Sequence, residues 1–217
     1  MKKGLVELVF ILDRSGSMSG LESDTIGGFN AMIKSQKTIE GECRVTTVLF
    51  DDRYELLHDR INLLGISPLT EKEYYVRGTT ALLDAVGRTI NKIASVQRNT
   101  TEEERAEKVL FVITTDGYEN SSREYTYEMV RSMIEKERDK YGWEFLFLGA
   151  NIDAIETAAK FGISKDRAAD YHADAEGTRV TYQAMDQAVR TIRENKTMDK
   201  DWKKKLDEDY KNRKKKQ

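Results

Sequence analysis

Four short apolar runs, almost unbroken by polar residues, punctuate a chain that is otherwise rich in charge: residues 5–12, 43–50, 108–114 and 143–148. A strand covered on both faces has no polar side to show, so such runs read as central strands of a buried sheet. The stretches between them carry apolar residues at spacings of three and four, Ile26, Phe29 and Ile33 in one and Leu83, Val86, Ile90 and Ile93 in another, the stripe of a helix lying on a core. Helices are expected at 125–140, 152–160 and 182–193 as well. Strands alternating with helices predict an α/β fold, a mostly parallel sheet with helices on both faces. One interval differs. The run at 43–50 is followed by Asp51-Asp52 and then by 53–59, with no room for a crossover helix, so an antiparallel hairpin strand is expected there. Gly41 is placed to stop the first helix in a left-handed conformation. The span 62–78, which holds the only proline, Pro68, reads as a surface excursion of the kind that carries binding specificity.

Composition removes several function classes. The 217 residues carry a formal net charge of −2, which gives no global field for nucleic acid or anionic lipid. A single cysteine, Cys43, cannot form an internal disulfide or a cysteine-rich zinc site, and at the start of a strand it reads as a small core residue. Met1-Lys2-Lys3 before an apolar run imitates a signal peptide. Glu7 interrupts that run and Asp13-Arg14 stands where small cleavage-site residues belong, so a cytoplasmic protein is expected. No stretch approaches the roughly 18 apolar residues of a membrane span.

Three polar clusters lie directly behind core elements: Asp13-Arg14-Ser15-Gly16-Ser17, Gly78-Thr79-Thr80 and Thr115-Asp116-Gly117. In an open parallel sheet, loops at the carboxyl ends of the strands meet in the crevice where strand order reverses. Two carboxylates and several hydroxyls offer only hard oxygen donors, which suit Mg²⁺, Mn²⁺ or Ca²⁺. Alternation at 13, 15 and 17 lets an irregular loop turn several side chains to one point, and Gly16 eases that turn. An ion so held keeps a coordination position open for a partner's Asp or Glu.

These motifs, with Asp84-Ala85-Val86 behind the second and Ile113-Thr114 ahead of the third, resemble the von Willebrand factor type A (VWA) domain and its metal-ion-dependent adhesion site over about residues 4–195. The resemblance implies a doubly wound, Rossmann-like and mostly parallel sheet with one antiparallel edge strand, in a VWA domain at 1–196 with a charged helical tail at 197–217. It implies a Mg²⁺ (or Mn²⁺/Ca²⁺) site in which Ser15 and Ser17 ligate directly, Asp13 and Asp116 act largely through water, and a threonine completes the set. Counting back from Asp84-Ala85-Val86 favours Thr80 over Thr79. The implied function is non-enzymatic, metal-dependent gripping of an acidic residue on a protein partner. The cysteine-poor chain looks like bacterial or phage members of the family, and in integrin-like relatives the last helix shifts on binding. The tail carries Met198, Trp202, Leu206 and Tyr210 four residues apart, together with nine Lys/Arg against five Asp/Glu. It docks either on its own domain or on a partner.

Two other functions compete. A Mg²⁺-dependent phosphoester hydrolase also places an Asp after a strand, but Ser15 stands where a second Asp is wanted, and no motif surrounds His58 or His172. An assembly protein with a vestigial metal site would make its contacts through 62–78 and the tail instead.

Overall fold

The computed structural model describes residues 1–214. Six strands form one sheet in the order β3-β2-β1-β4-β5-β6: β1 Lys2–Asp13, β2 Cys43–Phe50, β3 Tyr54–Asn62, β4 Ala106–Thr115, β5 Glu144–Ala150 and β6 Ala168–Tyr171. Every pairing is parallel except β2 with β3, so the hairpin edge strand stands where the spacing around Asp51-Asp52 puts it. Helices α1 Glu22–Gln36, α5 Ala175–Arg193 and α6 Lys204–Lys214 cover one face; α2 Leu82–Asn99, α3 Tyr127–Tyr141 and α4 Ala154–Lys160 cover the other.

The period of two along β1 explains the two cores. Val6, Leu8, Phe10 and Leu12 join the α1/α5 core, while Val9 and Ile11 join the α2/α3 core. Each such side chain, fully buried, contributes roughly 1.5–3 kcal/mol. Phe10 meets Phe29 of α1 edge-on at 5.4 Å, so a charge at either position would open the α1 side of the sheet.

Four features differ from the sequence reading. β6 was not foreseen, because Ala-Ala-Asp-Tyr is too short and too small to make an apolar run. α5 starts at Ala175, seven residues before the expected boundary, because the Asp174 side chain caps it by accepting from the Gly177 amide at 2.8 Å. Gly41 does adopt a positive φ, 102°, but in the turn beyond α1, whose last residue is Gln36. The 62–78 span is not simply a surface excursion. Leu63, Ile66, Leu69 and Tyr74 are buried in the α1/α5 core, where they cover the sheet on that side.

The tail packs on its own domain. Met198, Trp202 and Leu206 enter the same core as β1, and the Trp202 indole donates to the Asp166 carbonyl at 2.8 Å. Lys203 Nζ donates to the carbonyls of Lys165 and Ala168 at 2.9 and 2.6 Å. Arg213 pairs with the helix-capping Asp174. Lys215 and Lys216 of the basic closing run lie outside the described residues. Among the described residues no helix is long and apolar enough to cross a membrane.

After β1 the chain winds toward β3, and after β4 it winds toward β6. The carboxyl ends of β1 and β4 therefore flank the switch point of the sheet, the position where such folds present a ligand crevice.

Candidate metal centre

Asp13 ends β1 and Thr115 ends β4, so their loops leave the sheet side by side. The structure brings all five residues of the sequence-derived set to this point. Thr80 Oγ1 donates to Ser15 Oγ at 3.0 Å, Ser15 Oγ lies 3.0 Å from Ser17 Oγ, and Ser17 Oγ donates to Asp116 Oδ1 at 2.5 Å. Asp13 stands beside this row of oxygens. Its Oδ1 accepts from the Ser15 amide at 2.7 Å and its Oδ2 from Thr115 Oγ1 at 2.6 Å. Thr80 is buried in the cluster whereas Thr79 is exposed, so Thr80 is the threonine that reaches the other hydroxyls. The α2 N-cap position belongs to Ala81, so helix capping does not explain where Thr80 sits.

Residues that the motif reading passed over hold the loops in place. Arg14, 0% exposed, lies in the first motif yet points away from the oxygen row. Its guanidinium donates to Asp51 Oδ2 at 3.2 Å, to the Glu73 carbonyl at 3.1 Å and to Glu55 Oε2 at 2.5 Å. Arg77 reaches the same Asp51 oxygen at 2.6 Å. Burial works to raise the Asp51 carboxyl. The hydrogen bond from Arg77, the Arg53 backbone and the two guanidinium charges outweigh it and hold Asp51 below the ordinary aspartate value. Backbone bonds complete the tie, from the Arg77 amide to the Arg14 carbonyl at 3.0 Å and from the Gly16 amide to the Gly78 carbonyl at 3.1 Å. Gly78 has φ 65°, and a Cβ there would come within 2.1 Å of Asp52 Oδ1, so this crossing needs glycine. Tyr74, from the buried excursion, donates its hydroxyl to the Asp13 carbonyl at 2.5 Å. A basic residue and a tyrosine outside the oxygen-donor pattern gave no sequence signal of these roles.

The electrostatics are lopsided. Burial, with the nearby Asp13 charge adding to it against the Ser17 hydrogen bond, pushes the Asp116 carboxyl up to about 6. Burial also raises Asp13, against hydrogen bonds from Thr115 and Ser15. Among the described residues, Asp116 Oδ2 is buried without a hydrogen-bond partner. A buried carboxylate oxygen left in that state costs free energy.

The donor set fits a small, hard divalent cation. Metal–oxygen distances of about 2.0–2.1 Å in an octahedron put neighbouring ligand oxygens about 2.9 Å apart, close to the 3.0 Å between Ser15 Oγ and each of its two hydroxyl neighbours. Gly117 leaves room beside them, since a Cβ there would lie 3.2 Å from Ser17 Oγ and 3.5 Å from Thr80 Oγ1. Among the described residues no group of three or more His, Cys, Asp or Glu side chains is arranged around a common point. A cation here would therefore depend on hydroxyls, with two carboxylates supplying the charge.

No protein-family model matches the sequence, and neither does any curated protein. Solved structures do match the fold. The PilB minor pilin of Streptococcus sanguinis, as its D319A mutant, superposes with a TM-score of 0.59 at 14% identity, over 86% of this chain and 62% of that one. Proximal thread matrix protein 1 from the mussel byssus, with a zinc-occupied MIDAS motif, gives 0.56 at 14% identity, over 87% and 46%. A von Willebrand factor type A protein from Catenulispora acidiphila gives 0.55 at 12% identity, over 85% and 42%. The chain thus spans less than two thirds of the length of these structures. The fold they share with it is the VWA fold.

Proposed function

We propose that this VWA-fold chain is a protein-binding module that grips an acidic side chain of its partner through a divalent cation, Mg²⁺ foremost, with Mn²⁺ or Ca²⁺ able to replace it. The observation that carries this reading is the row of oxygens at the switch point, spaced like cation ligands and ending at a buried carboxylate with one unpartnered oxygen. Ser15, Ser17 and Thr80 would hold the ion through their hydroxyls, with Asp13 and Asp116 supplying the negative charge. When bound, the cation supplies a Lewis-acidic point that an incoming carboxylate can coordinate.

The residues themselves favour an adhesive use of the site over a closed cage. Neutral hydroxyls satisfy a hard ion less fully than carboxylates do. Gly16 and Ser17 are exposed, which leaves the approach from solvent open. Three uncharged hydroxyls and a coordination position kept for the partner leave the ion's shell incomplete, so weak affinity for the ion alone is expected. The zinc-occupied MIDAS motif of the mussel byssus protein supports the reading by likeness of fold.

A non-enzymatic role accords with the surroundings. Nucleophilic catalysis by a serine of the Ser–His kind needs a histidine within hydrogen-bond reach of the hydroxyl. His58 lies opposite Thr47 on the edge hairpin, and the His172 ring packs against Tyr210 of the tail at 4.7 Å with the planes tilted by 31°. Calorimetric titration of Mg²⁺, Mn²⁺ and Ca²⁺ into wild type and Ser15→Ala, followed by a glutamate-bearing peptide with and without chelator, tests the proposal. One cation site lost in Ser15→Ala, with peptide binding that chelator abolishes, is expected. Absence of cation binding by the wild type would overturn it.

A further inference from the structure

We infer that Asn120 and Glu119 are positioning residues that lock the loop bearing Asp116 to the loop bearing Thr80, and so set the spacing between the two halves of the candidate metal centre. The inference rests on the metal-centre reading above. Asn120 consumes both backbone groups of Thr80: its amide donates to the Thr80 carbonyl at 3.0 Å, and its side-chain Oδ1 accepts from the Thr80 amide at 2.9 Å. Asn120 is an exposed residue, so burial does not account for this two-point bond. What the bond fixes is the backbone from which Thr80 Oγ1 reaches Ser15.

Glu119 extends the lock by one turn. Its carboxylate accepts from the Leu83 amide of α2 at 2.8 Å and from the Ser121 and Ser122 amides at 2.9 and 2.7 Å. The Ser122 hydroxyl donates to the same carboxylate at 2.7 Å and accepts from the Asp84 amide at 3.0 Å. Asp84 answers from the helix side, accepting from the amides of Arg123, Glu124 and Tyr125, each at 2.9 Å. Each segment thus caps the other's orphan amides, and the first turn of α2 gains negative charge at its positive end. Other backbone ties on the Thr80 loop run the opposite way, from the Ala81 amide to the Asp51 carbonyl, from the Arg77 amide to the Arg14 carbonyl and from the Gly16 amide to the Gly78 carbonyl. Side-chain bonds from the Asp116 side to the Thr80 backbone come from Asn120. Groups that orient metal ligands from outside the coordination sphere typically control affinity by 10–100-fold.

Mn²⁺ titration followed by water-proton relaxation tests this on wild type, Ser15→Ala, Asn120→Ala and Asn120→Asp, with Thr80 amide hydrogen exchange measured in chelator on the same proteins. Expected is an affinity about tenfold weaker in Asn120→Ala, faster exchange of the Thr80 amide and an unchanged melting temperature. Asn120→Asp, which keeps the acceptor oxygen, should return close to wild type on both readouts. Affinity in Asn120→Ala equal to wild type, while Ser15→Ala abolishes binding, would overturn the positioning role and leave the metal reading intact. Equal losses in Asn120→Ala and Asn120→Asp would also overturn it, because the acceptor oxygen would then be irrelevant. A wild type that takes up no Mn²⁺ would overturn the metal reading and this inference with it.

Discussion

Glu7 and Asp13 lie on one strand and, six residues apart, on the same face, about 20 Å from each other. Both are buried acids, and burial raises both carboxyls above their ordinary values. Their surroundings differ in kind. At the amino end, Glu7 is met by a cation of the chain itself: Arg60 donates to both carboxylate oxygens, Nε at 3.1 and 3.0 Å and Nη2 at 2.9 Å, with Gln97 adding a bond at 3.3 Å. At the carboxyl end, Asp13 and its neighbour Asp116 have hydroxyls and amides around them, and the nearest basic side chain of the motif, Arg14, is turned away into Asp51 and Glu55. The fold neutralises a buried carboxylate with arginine where it needs only stability. At the switch point, the crest formed by the carboxyl ends of β1 and β4, two carboxylates stand together without one, which is the arrangement an external cation would complete.

Making the amino end resemble the crest should have the largest effect. Arg60→Met strands the Glu7 charge, with an expected loss of about 3 kcal/mol at neutral pH, measured by urea denaturation. The sign with pH follows from the raised Glu7 carboxyl. Below the ordinary glutamate value Glu7 is protonated in both folded and unfolded chains, so the penalty vanishes; it grows as pH rises from that value to the folded one, which losing Arg60 raises further, and levels off above it. Making the crest resemble the amino end comes next. Mg²⁺ at a hundred times its dissociation constant should add about 2.7 kcal/mol to wild type and nothing to Ser15→Ala, read as a shift in urea midpoint. Removing one crest charge has a smaller effect of the opposite sign to Arg60→Met. In chelator, Asp116→Asn should gain about 1 kcal/mol by relieving a buried, partly unpartnered carboxylate. Smallest in stability is Gly117→Ala, expected to change the chelated protein by less than about 0.5 kcal/mol. Its Cβ would crowd Ser17 Oγ at 3.2 Å, so its metal affinity should still fall measurably by calorimetry.

The same contrast explains what could be read from the sequence. The central strands were legible because burial on both faces leaves β1, β2, β4 and β5 as apolar runs, and the oxygen donors were legible because Asp13, Ser15 and Ser17 alternate within one loop. β6 escaped because Ala168-Ala169-Asp170-Tyr171 is only four residues long, with two alanines and an aspartate in place of an apolar run. The burial of Leu63, Ile66, Leu69 and Tyr74 was hidden because Gly65 and Pro68 break the helix that a spacing of three would otherwise suggest. The supports of the site were the least legible part. Arg14, Tyr74 and Asn120 act through bonds across 40 or more residues of sequence, and nothing in their local spacing distinguishes them from ordinary loop residues.

A Mn²⁺ binding isotherm on wild type and Asp116→Asn, read by the electron paramagnetic resonance of the free ion, goes most directly to the claim that the crest is built for an external cation. One bound ion per wild-type chain is predicted, with none on an Asp116→Asn variant that remains folded. Equal uptake by both proteins, or none by the wild type, would contradict it.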